Sequence, residues 1–334
     1  MRPAEARYRS LLLAAIALAA GTFLISINIG RYPIPPIDVL KALLLSPNAD
    51  PTVKTVLLQI RLPRIVAAML VGSALSIAGA AFQGLFKNPL VSSYHLGVSS
   101  GAGFGAALAI VLSWNTGMIQ ASAFAFGGLA VALTYGLSRL YKGTSTLTLV
   151  LAGIIVSSFF SALVSLIEYT ADPRGVLPAI VFWLMGSLSA VSNESLLGIM
   201  APMILGTVGL MLIRWRINVL SMGEEEAQAL GIDLRRVVAI IVACGTLVTT
   251  SAVCISGVIG WIGLVIPHVG RMLVGPDYRK LLPISCLAGT IYLLVMDDIA
   301  RTLTTGEIPL GILTSLIGTP FFAYLLMRSR ADWA

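Results

Sequence analysis

Charge is scarce in this chain. Of 334 residues, 11% are Asp, Glu, Lys or Arg and 57% are hydrophobic, whereas a soluble domain carries about 25% charge. That excludes an ordinary soluble fold. Histidine is scarcer still: His95 and His268 are too few for a histidine-rich metal site. Cys244, Cys254 and Cys286 all fall in apolar runs with no C-x-x-C pair, so neither a disulfide framework nor a metal site is indicated. The glycine–lysine Walker A motif is missing, so the chain cannot cradle a nucleotide itself. There is no H-E-x-x-H and no acid–base pair in a recognisable catalytic setting, so an enzyme is not expected and no cofactor is indicated. Finally, no polar block exceeds about 35 residues, too short for an appended soluble domain.

What is there is hydrocarbon. The mean hydropathy is +0.93. Apolar runs of about 17–25 residues mark membrane-spanning helices. Ten are expected, near 10–30, 64–84, 94–113, 118–138, 147–167, 194–213, 236–256, 258–273, 281–299 and 308–327. The expected fold is therefore an all-α polytopic membrane protein, a single transmembrane domain over residues 1–334. Ser10 to Ile29 reads as a retained first span, because Ile27-Asn28-Ile29 is no A-x-A cleavage site. A further short helix, about 180–190, with Phe182 and Trp183, suits a membrane interface.

Ten spans put both ends of the chain on one side. Fifteen of the 22 basic residues then share that side, against seven on the other, which makes it cytoplasmic by the positive-inside rule. The fifteen include Arg7, Lys87, Arg139, Arg271 and Lys280; the seven include Arg31, Arg61, Arg64 and Arg301. The net charge of +7 thus speaks for orientation rather than for nucleic acid.

One polar stretch interrupts the cytoplasmic side, Ser221 to Asp233. Ser221 and Glu224 have capping-box spacing. Glu224, Glu225 and Glu226 then occupy a first helical turn, where the dipole favours negative charge. Gly231 is placed to end the helix, and Asp233 to cap the next. The stretch reads either as a solvated loop with a helical turn or as a coupling helix moved by a soluble partner.

Several other features carry two readings each. Arg61-Leu62-Pro63-Arg64 puts two guanidinium groups at the outer mouth of the second span, where interfacial snorkelling is the plain reading and a functional one stands beside it. Gly72, Ser76, Ala80 and Gly84, and then Gly97, Gly101, Gly105 and Ala109, are small residues four apart. They serve close helix packing or else line a path. Between them Lys87-Asn88-Pro89-Leu90 breaks the chain on the cytoplasmic side. His268 beside Pro267 bonds a freed carbonyl or binds a ligand. Asp297 and Arg301, four apart, neutralise one another or mark function. Gly84-Leu85 ahead of Pro89 echoes Gly263-Leu264 ahead of Pro267, a faint inverted repeat.

Several stretches together resemble the FecCD family. These are permease subunits of type II ATP-binding-cassette importers for iron–siderophore complexes, haem and cobalamin. The resemblance rests on Arg61 to Leu90, Leu151 to Gly153, Phe182 to Ser187, Gly260 to Arg271, Gly306 to Gly311 and Gly318 to Phe322, in order and at these separations. It implies ten helices per subunit, two copies around a central pathway, two ATPase subunits that carry ATP and Mg, and a periplasmic binding protein. It implies a place in the bacterial inner membrane. It implies that Arg61, Arg64 and Arg301 receive glutamates of the binding protein. Ser221, Met222, Gly223, Glu224, Glu225, Glu226, Ala227, Leu230 and Gly231 fall in its ATPase-coupling helix. Asn88 and Leu90 match its cytoplasmic gate, with Ser145, Thr146 and Leu147 as the second gate region. Glu226-Ala227 with Gly231 also resembles the E-A-A-x-x-x-G loop of type I importer permeases, which docks on the same kind of ATPase.

The expectation is a passive permease that imports an iron chelate, siderophore or haem. Cobalamin and molybdate remain as alternatives within the same architecture. A gradient-driven secondary transporter is the rival of another class. It would need ionisable groups near the bilayer midplane, and here they sit at span ends.

Overall fold

Apolar runs this long can satisfy their backbone in hydrocarbon only by forming helices. The computed structural model describes residues 3–44, 46, 50–140 and 146–328. In chain order they form α1 (Pro3–Asn28), α2 (Pro36–Leu43) and α3 (Pro51–Thr55), which passes through a π-turn (Val56–Arg61) into α4 (Leu62–Phe86). A 3₁₀ turn (Ser93–Leu96), α5 (Val98–Val111), α6 (Thr116–Leu140), α7 (Thr146–Thr170) and α8 (Val176–Leu184) follow. Then come α9 (Asn193–Leu212), α10 (Arg214–Met222), α11 (Glu224–Ala229), α12 (Leu234–Ser256), α13 (Ile262–Val274), α14 (Tyr278–Thr302) and α15 (Leu310–Arg328).

Among the described residues seven helices are long and apolar enough to cross a membrane: α1, the run from α3 to α4, α6, α7, α9, α12 and α14. The third, eighth and tenth expected spans are the shorter apolar helices α5, α13 and α15. The interfacial helix expected at about 180–190 is α8, which starts and ends earlier. The π-turn ends two residues before Pro63. A proline ring clashes with the carbonyl four residues back in a regular helix, and the wider turn relieves that clash.

Most of α4 is buried, and it packs against α14, α12, α13, α9 and α10. Its small residues decide those contacts. A Cβ on Gly72 would strike the Gly289 backbone and Leu293 of α14; one on Gly79 would strike the Gly263 backbone of α13. The second small-residue stripe faces elsewhere. Gly101 and Gly105 of α5 lie against Phe126 and Ser122 of α6, and the Ser122 hydroxyl donates to the Gly105 carbonyl at 2.7 Å. The two stripes therefore serve two separate helix contacts, which corrects the reading of a helix pair lining a path.

α5 and α13 are short because the chain breaks beside each. Before α5 the break is 87–97, entered through Lys87 in the left-handed conformation. Before α13 it is 257–261, with Trp261 left-handed at the start of the helix. The two breaks meet: the Tyr94 hydroxyl donates to the Ile259 carbonyl.

The bundle has two distinct ends. Tyr8, Arg271, Lys280, Lys87 and Ser221 gather at one. Ile27, Tyr32, Arg61, Arg64 and Glu307 gather at the other. The start of α1 is thus at the same end as α10 and α11.

Replacing Gly79 by Val overpacks the α4–α13 crossing, and such insertions cost about 1–3 kcal/mol or more. We expect Gly79→Val to lower the unfolding temperature and the monodisperse yield of detergent-purified protein. Gly128→Ala, where nothing lies within 4 Å of the added methyl, should match the parent. Equal thermal stability of the two variants would contradict the packing described here.

Candidate functional site

Two regions answer to the residues singled out from the sequence, one at each end of the bundle.

At the first end, α4 and α14 bring their charges inward. Arg64 Nε donates to both carboxylate oxygens of Asp297 at 2.9 and 3.0 Å. Its Nη1 donates to both oxygens of Glu307 at 2.9 Å. Arg301 Nη2 donates to Asp298 and to the Ser26 carbonyl, the latter at 2.8 Å. The Ser26 hydroxyl donates to Asp298 at 2.6 Å. Arg61 donates to two backbone carbonyls, Ile27 at 2.9 Å and Tyr32. Arg61, Arg64 and Arg301 are 4%, 7% and 5% exposed, and Asp297 is fully buried.

The three arginines do gather at one end, but they do not stand free. Their guanidinium groups are turned into the protein and bonded there, except that Arg301 Nε is left without a hydrogen bond, 3.7 Å from Asp297. A partner's glutamate would meet Arg64 and Arg301 already paired with Asp297, Asp298 and Glu307, and Arg61 already held by two carbonyls. The physical reason is burial: a guanidinium taken out of water must be paired and hydrogen-bonded within the chain. The expected Asp297–Arg301 pair is long, 3.7 Å. Arg64 is the main partner of Asp297, on a helix more than 200 residues earlier. Glu307 was the member sequence reasoning missed, although it stands in Gly306 to Gly311, one of the stretches quoted above.

Beside this network lies an open cleft of about 770 Å³, lined in part by Trp114, Phe182, Trp183, Arg31 and Glu307. It joins a second of about 830 Å³ through Thr116, Gln120 and Cys254. Aromatic walls with a few polar groups suit a ligand with a broad apolar or planar surface.

At the other end, the chain leaves the bundle between α10 and α12. Ser221 does not cap a new helix. It lies within α10, and its hydroxyl donates to the Asn218 carbonyl at 2.7 Å. Gly223 is the N-cap of α11 and has no side-chain cap bond. The expected capping box is thereby corrected: α10 runs one residue past Ser221. The side chain of Glu224 lies outside the described residues. α11 ends as expected. Gly231 is left-handed, its N–H meets the Gln228 carbonyl at 2.9 Å, and the Ile232 N–H meets the Ala227 carbonyl at 3.0 Å. That is a Schellman closure. Asp233 caps α12 through the Arg236 N–H at 3.2 Å. Ala227 is buried, whereas Met222 and Leu230 are 69% and 61% exposed. Glu225 and Glu226 are exposed too.

The residues expected to form the gate, Asn88, Leu90 and Leu147, are at this end. The Asn88 carboxamide oxygen accepts from the Leu90 N–H at 2.9 Å, closing the turn, and Leu90 is exposed. Leu147 is exposed in the first turn of α7. α7 packs on the 3₁₀ turn (Ser93–Leu96), where Gly153 lies against the His95 backbone. Ser145 and the side chain of Thr146 lie outside the described residues. His95 Nδ1 meets the Ser92 N–H at 3.1 Å, a capping contact. His268 sets its ring edge-on to Phe322, where a freed carbonyl or a ligand was expected. Among the described residues no cluster of three His, Cys, Asp or Glu side chains could hold a metal ion.

Comparison with known proteins places this arrangement. Residues 16–328 match the FecCD transport family. The chain is 41% identical to the molybdate import system permease protein MolB of Haemophilus influenzae, over 97% of each chain. It is 42% identical to a Helicobacter pylori protein named for an iron chelatin transport system permease, over 82% of this chain and 83% of that one. A solved structure described as an inward-facing conformation of a metal-chelate type ABC transporter superposes with a TM-score of 0.86. It has 41% identity over 96% of this chain and 99% of that one.

Breaking a buried ion pair by removing one partner costs about 3–5 kcal/mol. Asp297→Asn is therefore expected to lower the unfolding temperature of the purified protein sharply. Lys41→Ala removes an exposed pair with Asp38, and exposed pairs contribute about 0–1 kcal/mol. Thermal scans that show the same small change in both would remove the network from any structural role.

Proposed function

The chain belongs to the FecCD transport family, and from that premise we propose how its two ends divide the work. It is a multi-pass membrane protein with the type II ABC importer permease fold, a non-catalytic transport subunit of an importer that also comprises an ATPase and a binding protein. The finer assignments that follow are proposals.

The end carrying α11 faces the cytoplasm, and with it both ends of the chain. The excess of basic residues supports this orientation. There α11 is the contact for the ATPase. The carrying observation is its form: a short acidic helix held outside the bundle, with Met222 and Leu230 exposed on either side of the buried Ala227. Two exposed apolar side chains beside a polar turn have the character of interface anchors. Two copies of this chain, two ATPase subunits and one binding protein make the working assembly. ATP binding and hydrolysis push on α11, and the helices tilt to open the pathway to one side at a time. Asn88, Leu90 and Leu147 stand where the pathway closes on the cytoplasmic side. At the opposite end, Arg61, Arg64 and Arg301 shape the face on which the binding protein lands, acting through the network rather than as direct grips.

The cargo is an iron chelate, siderophore or haem. Trp114, Phe182 and Trp183 on the outer cleft support a large planar or apolar ligand over a small one. Molybdate is the second reading, favoured by the name of the Haemophilus relative. A compact dianion needs several fixed N–H donors, and Arg31 is the one cation among the cleft's lining residues.

Leu230→Asp and Met222→Asp each place a charge in the proposed ATPase contact. Loss of a hot-spot side chain weakens an interface by about tenfold or more. We expect a comparable fall in ATP-dependent uptake by proteoliposomes holding the whole importer, with the permease still folded. Undiminished uptake in both would remove α11 from the coupling path. In the same vesicles, radiolabelled iron chelates, molybdate and cobalamin are offered in turn with loaded binding protein. Accumulation of the iron chelate alone supports the first reading, and accumulation of molybdate or cobalamin replaces it.

A further inference from the structure

A third cleft, of about 500 Å³, opens at the α11 end of the bundle, sharing only Arg271 and Met272 with the hollow that holds Asn88. Its walls come from three helices: Arg7, Tyr8 and Leu11 of α1; Arg271 with Met272 and Leu273 of α13; and Lys280 of α14. Three cations line it and no carboxylate does. The nearby Asp277 is already taken, donated to by Arg279 Nη2 at 3.0 Å and Nε at 3.2 Å. Lys280 Nζ lies 5.7 Å from the Tyr8 ring centroid, a cation–π contact. Arg271 bonds Gln83 and the Tyr278 hydroxyl, neutral partners that leave its charge uncompensated. It has five N–H donors in all.

Like charges brought together by three separate helices repel one another unless an anion joins them. The surroundings say which anion. Met272 is 61% exposed and Leu273 45%, and Leu11 shares a helix face with the exposed Leu18 seven residues on. The cleft is thus cationic at its mouth and apolar along its flank, at the end of membrane-spanning helices. A free inorganic anion would use the first feature and not the second. Basic pockets between membrane helices near the cytoplasmic surface hold anionic lipid headgroups.

We propose that this cleft is a binding site for an anionic phospholipid, its phosphate between Arg7, Arg271 and Lys280 and an acyl chain along Leu11, Met272 and Leu273. The lipid would tie the start of α1 to α13 and α14. The site requires only that the chain lies in a bilayer; that its mouth is at the cytoplasmic surface rests on the orientation proposed for the α11 end.

The test is lipid binding by the intact, purified permease, read by native mass spectrometry. The added probes are phosphatidylglycerol, phosphatidylcholine and inorganic phosphate. The expected result is preferential retention of phosphatidylglycerol. Each basic residue near a membrane surface contributes appreciably to such binding, so Arg7→Gln with Lys280→Gln should weaken it about tenfold or more. The pair Lys41→Gln with Lys54→Gln, at the opposite end, should leave it unchanged. If the double variant does not fold, Arg7→Gln alone, on an exposed turn, gives the same reading at smaller amplitude. Equal retention of the two lipids overturns the proposal, as does unchanged binding in the Arg7 variants. Displacement of bound phosphatidylglycerol by millimolar phosphate also overturns it, and would mark a site for small anions instead.

Discussion

Hydrocarbon supplies no hydrogen bonds, so every polar group that enters this bundle must find its partner inside it. The three outer arginines answer to that constraint, Arg301 Nε alone among their buried nitrogens being left over. Arg64 divides its guanidinium between Asp297 and Glu307, Arg301 turns to Asp298 and Ser26, and Arg61 to the carbonyls of Ile27 and Tyr32. The same constraint explains where the chain can afford to stop being helical. The break at 257–261 frees carbonyls in mid-bundle, and the Tyr94 hydroxyl, from the opposite break, meets one of them at Ile259. Irregular backbone at that depth is tolerated because protein, not lipid, surrounds it.

Much of this was legible in the sequence. The long apolar runs marked the spans and their order, seven long and three shorter, because a span must match the bilayer whatever it packs against; the short helices α2, α3 and α10 have no such mark. The end of α11 at Gly231 and the start of α12 at Asp233 were legible too, since capping is local chemistry. What was not legible depends on distance through space. Ser221 has capping-box spacing to Glu224, yet α10 continues through it because Ile217 and Leu220 are buried in the bundle, and tertiary packing overrides a local signal. The two small-residue stripes look alike on paper; one meets α14 and the other α6, and spacing cannot name a partner. Arg64 and Asp297 are likewise joined only by the fold, so an outer arginine reads as a free charge until its acid is seen beside it.

The core and the appendage differ in kind. α4, α13 and α14 touch backbone to backbone at Gly72, Gly79, Gly263 and Gly289, and such contacts have little room to slide. Close-packed interiors transmit displacement rather than absorbing it. α11 has no such contacts. A helix of six residues is not stable alone; this one persists because Ala227 is buried and both of its ends are fixed, through α10 and through the Schellman closure.

That construction decides where a push on α11 goes. Through Ile232 and Asp233 it enters α12 directly, with only a short link between. Through Gly223 it enters α10, and α10 is bound to the core at two points. Ile217 lies over Gly84 of α4, where even a methyl group would find no room. The Asn218 side chain accepts from the Tyr278 N–H at 3.0 Å, at the start of α14. One short helix therefore addresses α4, α12 and α14 together, and α4 and α14 carry buried charges at the far end. A displacement at α11 cannot move one of them without loading the others, so the bundle answers as a body. This is the property an ATP-driven permease needs if force applied at one face is to change access at the opposite one.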